Sequence, residues 1–236
     1  MKITKLKIHL FTILIVLFIV PVRSQDNRET LKLPEFDEVH MATSGEVFVK
    51  QGNKTEVILD ASESRKENLE VEVRGGRLYI GNKRGWNWRD WKNGGDLVVY
   101  VTIKDIRALK VSSSGKIFGE GVLKTDNMDL AVSGSGRIEI ETEADDLESS
   151  ISGSGKIELA GKCAYNDVSI SGSGRLLAED LESEEYYISI SGSGNCRINV
   201  TKRIEARVSG SGRIYYKGNP DKVDSRVSGS GSVRKI

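Results

Sequence analysis

A Ser-Gly-Ser-Gly element, or a one-residue variant of it, keeps returning through the second half of this chain. Its second glycine stands at Gly115, Gly136, Gly155, Gly174, Gly194, Gly212 and Gly231, at intervals of 21, 19, 19, 20, 18 and 19 residues. A fixed period with small slips identifies a repeat architecture, with the slips absorbed in turns. A flexible linker would drift in length and carry no apolar flanks. Here each copy sits between apolar residues, as in VSGSGRIEI (132–140) and ISGSGKIEL (151–159).

The flanks alternate with the period of an extended strand. Val132, Gly134, Gly136, Ile138 and Ile140 fall on one face, and Ser133, Ser135, Arg137 and Glu139 on the other. This alternation predicts that both glycines face inward and the serines outward. Each repeat then reads as an approach strand, the SGSG passage, an exit strand and a polar return such as ETEAD (141–145) or KGNPDK (217–222). Stacking such units gives an all-β, single-domain β-solenoid of ~19-residue SGSG repeats, with columns of Ile and Val at its centre. The competing architecture, an antiparallel meander closed into a barrel or sandwich, does not require so regular a rung length.

Residues 111–236 hold the regular repeats, and 25–110 read as an irregular β part that leads into the same stack and caps it. LEVEV (69–73), RLYI (77–80) and LVVYVTI (97–103) read as strands, and Met41 to Phe48 as a degenerate early copy. At the other end, Arg234 and Lys235 are expected to guard the edge against strand pairing.

The first 24 residues read as a secretory signal peptide: a basic MKITKLK start, an apolar core from Ile8 to Val20, and cleavage after Ser24. The apolar core is short for a membrane span, which needs roughly 20 residues. Export with cleavage removes four basic residues and no acids, so 35 − 4 = 31 bases face 34 acids, a net charge of about −3. No basic stripe of a nucleic-acid binder is present. The expected location is therefore periplasmic, at the outer-membrane surface or extracellular.

Little of the sequence points to chemistry. His40 is the one histidine after residue 24 and has no nucleophile motif around it. CxxC, HExxH and EF-hand patterns are absent, and SGSG lacks the ending of a phosphate loop; no cofactor or metal is expected. Cys163 and Cys196 fall two rungs apart, roughly 10 Å by strand spacing, which is beyond an unstrained disulfide. Adjacent acids at Asp145-Asp146 and Glu184-Glu185 could serve glycoside cleavage if they faced each other across a groove. They lie in the polar returns, where solvated charge is the ordinary explanation. One unrepeated stretch, GWNWRDWKNGG, gathers all three tryptophans. Trp86, Trp88, Arg89 and Trp91 are the candidate contacts for an envelope glycan or protein, against the alternative of a hydrophobic plug over the open end of the stack.

Several ordered segments resemble one family: FDEVHMATSGEVFVKQG (36–52), LYIGN (78–82), VYVTIKDIRALKVSSSG (99–115), the successive SGSG copies, and GRIYYKGNP (212–220) before a last VSGSGSV (227–233). Together they are similar to the "putative auto-transporter adhesin head" or GIN family of secreted Bacteroidetes proteins. The resemblance implies a β-solenoid exported to the envelope or surface and assigns no functional residue. The function expected is a non-enzymatic, adhesin-like binding or scaffolding module. The alternatives are a carbohydrate-active β-helix enzyme and a structural unit that self-assembles as a homo-oligomer.

Overall fold

The computed structural model describes residues 27–83, 85 and 96–236. In chain order, β1 (Arg28–Leu31), β2 (Glu38–Met41), β3 (Glu46–Gln51) and β4 (Glu56–Ala61) precede a five-residue helix, α1 (Glu63–Glu67). Then come β5 (Leu69–Arg74), β6 (Arg77–Asn82), β7 (Leu97–Ile103) and β8 (Ala108–Val111). Five long strands follow: β9 (Lys116–Gly134), β10 (Arg137–Gly153), β11 (Lys156–Gly172), β12 (Arg175–Gly192) and β13 (Asn195–Gly210). The described chain closes with β14 (Arg213–Lys217), β15 (Lys222–Gly229) and β16 (Ser232–Lys235).

All sixteen strands belong to one sheet, and from β9 onward every pairing with the next turn of the chain is parallel. Equal spacing of equivalent residues makes this a β-solenoid. The register stacks like on like: Val99, Val47, Ile117, Ile138, Ile157, Leu176, Cys196, Ile214 and Val233 form one column. The first eight are fully buried. Burying each aliphatic member stabilises the fold by about 1.5–3 kcal/mol, so such columns hold the rungs in register. Cys196 packs here as a small apolar side chain between Leu176 and Ile214.

Three details differ from the sequence expectation. The two glycines of each corner do not share a face. Gly136, Gly155 and Gly174 are buried, but Gly134, Gly153 and Gly172 are exposed. The reason is backbone conformation: the first glycine takes positive φ, +110°, +108° and +108° at those three positions, and this breaks the two-residue alternation at the bend. Gly192 and Gly194 show what a side chain would meet at such a corner. Gly192 has φ +115°, and a Cβ on it would lie 2.6 Å from the Gly172 carbonyl oxygen; L-residues avoid that region. On Gly194 a Cβ would lie 2.6 Å from Ile170 Cγ2 in the rung beneath.

Secondly, most of the polar returns are not loops. ETEAD (141–145) is part of β10 and stays paired, Glu141 opposite Ala160 and Glu143 opposite Lys162. Thr142 even faces inward, and its Oγ1 donates to the Leu123 carbonyl at 2.8 Å. In KGNPDK the ladder does break, between Lys217 and Lys222.

Thirdly, the slips in repeat length lie past the exit strand and leave the corner untouched. β9 holds two extra residues there, since Glu139 faces Phe118 while Glu141 faces Val122. β12 holds one, since Glu158 faces Leu177 while Ala160 faces Asp180. These β-bulges account for the intervals of 21 and 20 residues.

The N-terminal part joins the stack out of sequence order. β2 and β3 form a rung with the degenerate copy as its corner, Met41 opposite Val111 and Glu46 opposite Lys116. That rung is interior: β6 and β7 pair parallel with its other side, Met41 opposite Ile80 and Val47 opposite Val99. The chain thus lays down an inner rung, leaves the stack, returns on the outside as β6 and β7, and crosses back to β8. β4 pairs antiparallel with β7, β1 with β4, and β5 with β6, so antiparallel strands close this end. The carrying strands lack the Ser-Gly signature, which is why their place in the stack is invisible in the repeat.

Candidate functional site

β6 ends at Asn82 and β7 begins at Leu97, and the sequence stretch between them carries the three tryptophans. Trp86, Trp88, Arg89 and Trp91 belong to that stretch and lie outside the described residues. Its two ends are well defined. Ser62 starts α1, where Arg65 N and Lys66 N donate to its carbonyl at 2.9 and 3.0 Å. The helix projects Arg65 inward, 6% exposed. Arg65 Nη1 donates to Asn82 Oδ1 at 3.0 Å, and Nη2 to Thr43 Oγ1 at 2.8 Å and the Ser44 carbonyl at 3.3 Å. Thr43 Oγ1 donates in turn to Asn82 Oδ1 at 3.0 Å. Lys83 N reaches the Asn68 carbonyl at 2.9 Å. One buried arginine therefore ties the end of β6 to the neighbouring corner, which fixes the point where the tryptophan stretch departs.

Aromatic side chains gather on the outer walls to either side of this corner. On the exit wall Tyr100, Phe48 and Phe118 come from three rungs and stack: centroids are 5.6 Å apart for Phe48–Tyr100 and 5.4 Å for Phe48–Phe118. The Arg28 guanidinium lies 5.2 Å from the Tyr100 ring centre, a cation–π distance. On the approach wall Tyr79 meets His40 edge-on at 5.6 Å. His40 Nε2 shares a 2.9 Å hydrogen bond with Ser112 Oγ. Burial first, then the charges of Arg77 and Lys110, hold the His40 pKa below its usual value against the opposing pull of Glu38, so the neutral imidazole is favoured. Residues 48, 100 and 118 are distant in sequence; only the rung register brings them together, and no local pattern announces it.

Elsewhere the walls carry shallow grooves. One of about 690 Å³ is lined by Lys124, Glu143, Asp145, Lys162, Cys163 and Glu184 among others, and a second of about 500 Å³ by Met128, Asp146, Leu147, Tyr165 and Tyr187. The adjacent acids noted in the sequence are divided. Asp145 lines the first groove and Asp146 the second. Glu184 pairs with Lys202 at 2.6 Å, while Glu185 accepts from Tyr187 Oη at 2.8 Å. Both members of each pair point outward where the inward alternation shifts by one residue, and each member has its own surroundings. Among the described residues no cluster of three or more His, Cys, Asp or Glu could hold a metal ion. Cys163 and Cys196 are buried free thiols in different columns.

A closed, antiparallel-capped end, an aromatic outer wall and a long regular stack define a capped β-solenoid. The family model described as "Putative auto-transporter adhesin, head GIN domain" matches residues 35–220. The chain belongs to this family. Among solved structures it is similar to a "putative adhesin" from Bacteroides fragilis, at 23% identity and TM-score 0.81 over 89% of this chain and 96% of that one. A "putative lipid binding protein" from Parabacteroides distasonis is 26% identical, with TM-score 0.69 over 89% and 97% of the two chains. A "putative adhesin" from Parabacteroides merdae is 21% identical, with TM-score 0.68 over 89% and 95%. No curated protein matches the chain.

Proposed function

We propose that this chain is an exported, non-enzymatic recognition module of the cell envelope, whose capped end contacts glycans or glycan-bearing partners. The observation that carries this reading is the outer-face ladder of Tyr100, Phe48 and Phe118 beside the corner from which the tryptophan stretch departs. Clustered, partly exposed aromatic rings are the surfaces on which sugar rings pack, and they mark contact sites on otherwise polar walls. The family assignment and the similar structures named as adhesins support the reading. Export rests on the leader-like first 24 residues; no helix among the described residues is long and apolar enough to cross a membrane.

Glycan arrays and pull-downs from envelope extracts test this. Wild type is expected to retain a glycan class that Trp86→Ala/Trp88→Ala/Trp91→Ala loses and Phe48→Ala/Tyr100→Ala weakens at least tenfold. Retention by both variants moves the contact elsewhere on the solenoid; no retention by folded wild type sinks the recognition role. Phosphatidylglycerol vesicles serve as a separate arm, because one similar structure carries a lipid-binding name. Product release from a broad polysaccharide panel would favour the enzymatic alternative instead.

A further inference from the structure

The two ends of the stack are finished differently. Antiparallel strands close the aromatic end, but at the other end β15 is paired only with β13 on one side. Val223 and Val227 are 39% and 42% exposed, whereas the residues they stack upon, Ile204 and Val208, are 0% and 2% exposed. The inward column therefore runs out into solvent.

The backbone of β15 is open as well. In an interior rung the first serine of the corner donates its N–H backward, as Ser112 N does to the Met41 carbonyl at 3.0 Å. β15 sits on β13 in the same register, Val227 opposite Val208 as Val111 is opposite Met41. Ser228, Arg226 and Asp224 thus direct their peptide groups to β13. By alternation Val223, Ser225 and Val227 direct N–H and C=O to the free edge.

Read about Ser225, the run Val223-Asp224-Ser225-Arg226-Val227 is complementary to itself in reverse: apolar, acid, hydroxyl, base, apolar. Arg226 makes no ion pair within the described chain, and Asp224 has exposed pairings, Lys222 at 3.0 Å and Arg203 at 3.8 Å. We propose that β15 is the seam of a homodimer: two copies join antiparallel about a twofold axis through Ser225. Such an isologous contact uses one patch twice. Ser225 meets Ser225 of the second copy and Val223 meets Val227, all as hydrogen-bonded pairs. Asp224 lies opposite Arg226 of the second copy, twice, on the outer face. The inward column continues across the seam. A second copy is the occupant the sequence itself supplies, because the charges match this run read backward. The antiparallel cap withholds the other end, so the assembly stops at two.

Sedimentation of the full chain over a concentration series is expected to show the mass doubling, with dissociation in the micromolar range for so small a seam. Asp224→Arg sets arginine against arginine, and Arg226→Asp sets aspartate against aspartate. Each is expected to abolish doubling while leaving circular dichroism, and thermal unfolding at concentrations where wild type is itself monomeric, as in wild type. Mixing the two variants is expected to restore it, because every arginine then faces an aspartate. A monomeric wild type, open-ended polymers, doubling that survives both substitutions, or a mixture that stays monomeric would each overturn the proposal. The glycan-binding reading is untouched by any of these results, since the seam lies at the opposite end.

Discussion

At Cys163 a single side chain records how dry the interior is. Its thiol stands in a column between Ala144 and Ser183, and burial pushes its pKa from 9.0 up to about 11, against the smaller opposing effect of a hydrogen bond with Ser183. Burial raises the Cys196 thiol in the same direction. The folded state disfavours the thiolate, so this contribution to stability is intact below pH 9 and is lost as pH rises toward 11, by roughly 2–3 kcal/mol for a shift of this size. We expect Ellman's reagent at pH 8 to find no reactive thiol in the native chain and two per chain in denaturant. Fast native labelling would contradict the packing. The slot of Cys196, two residues past Gly194, marks it as a core residue; Cys163 lies eight residues past Gly155, where the alternation set by the SGSG element no longer fixes which way a side chain faces.

At the level of the rung, corner and bulge divide the labour. From Gly134 onward the first glycine of each corner has positive φ and the second leaves no room for a Cβ, so these corners hold a fixed length and length variation is pushed to the bulges. Gly192→Ala is expected to destabilise by about 1–3 kcal/mol, from a left-handed non-glycine residue pressed on the Gly172 carbonyl. Deleting Asp180, by contrast, shortens β12 to the period of β11 and is expected to cost less. Urea midpoints for the two variants decide between a rigid corner and a rigid return; equal losses would refute the distinction. The period was legible in the chain because apolar residues flank every corner. The facing of the first glycines was not, because two-residue alternation assumes an extended backbone that Gly134, Gly153 and Gly172 do not keep. The insertion of β6 and β7 outside β2 and β3 was equally hidden: nothing in RLYI or LVVYVTI says which side of a rung they will cover. The aromatic wall depends on that insertion, so it was hidden too, while the tryptophan stretch stood out by composition alone.

For the molecule as a whole, each interior rung is stabilised by its two neighbours, and stability is approximately a sum over such interfaces. Duplicating Lys156–Gly174, one 19-residue unit, adds an interface without creating a new end. We expect the lengthened chain to fold, with a higher urea midpoint and a steeper transition. A lower midpoint would show that the stack does not propagate its register. The same addition moves the cap away from β15 by one strand spacing, about 4.8 Å, and in a twofold pair the displacement counts twice, about 10 Å. The number of repeats is therefore a ruler. By gaining or losing whole units, such a chain could set how far apart two aromatic tips are held, and so which spacings of sites on an opposing surface it can bridge, without altering a single residue at either tip.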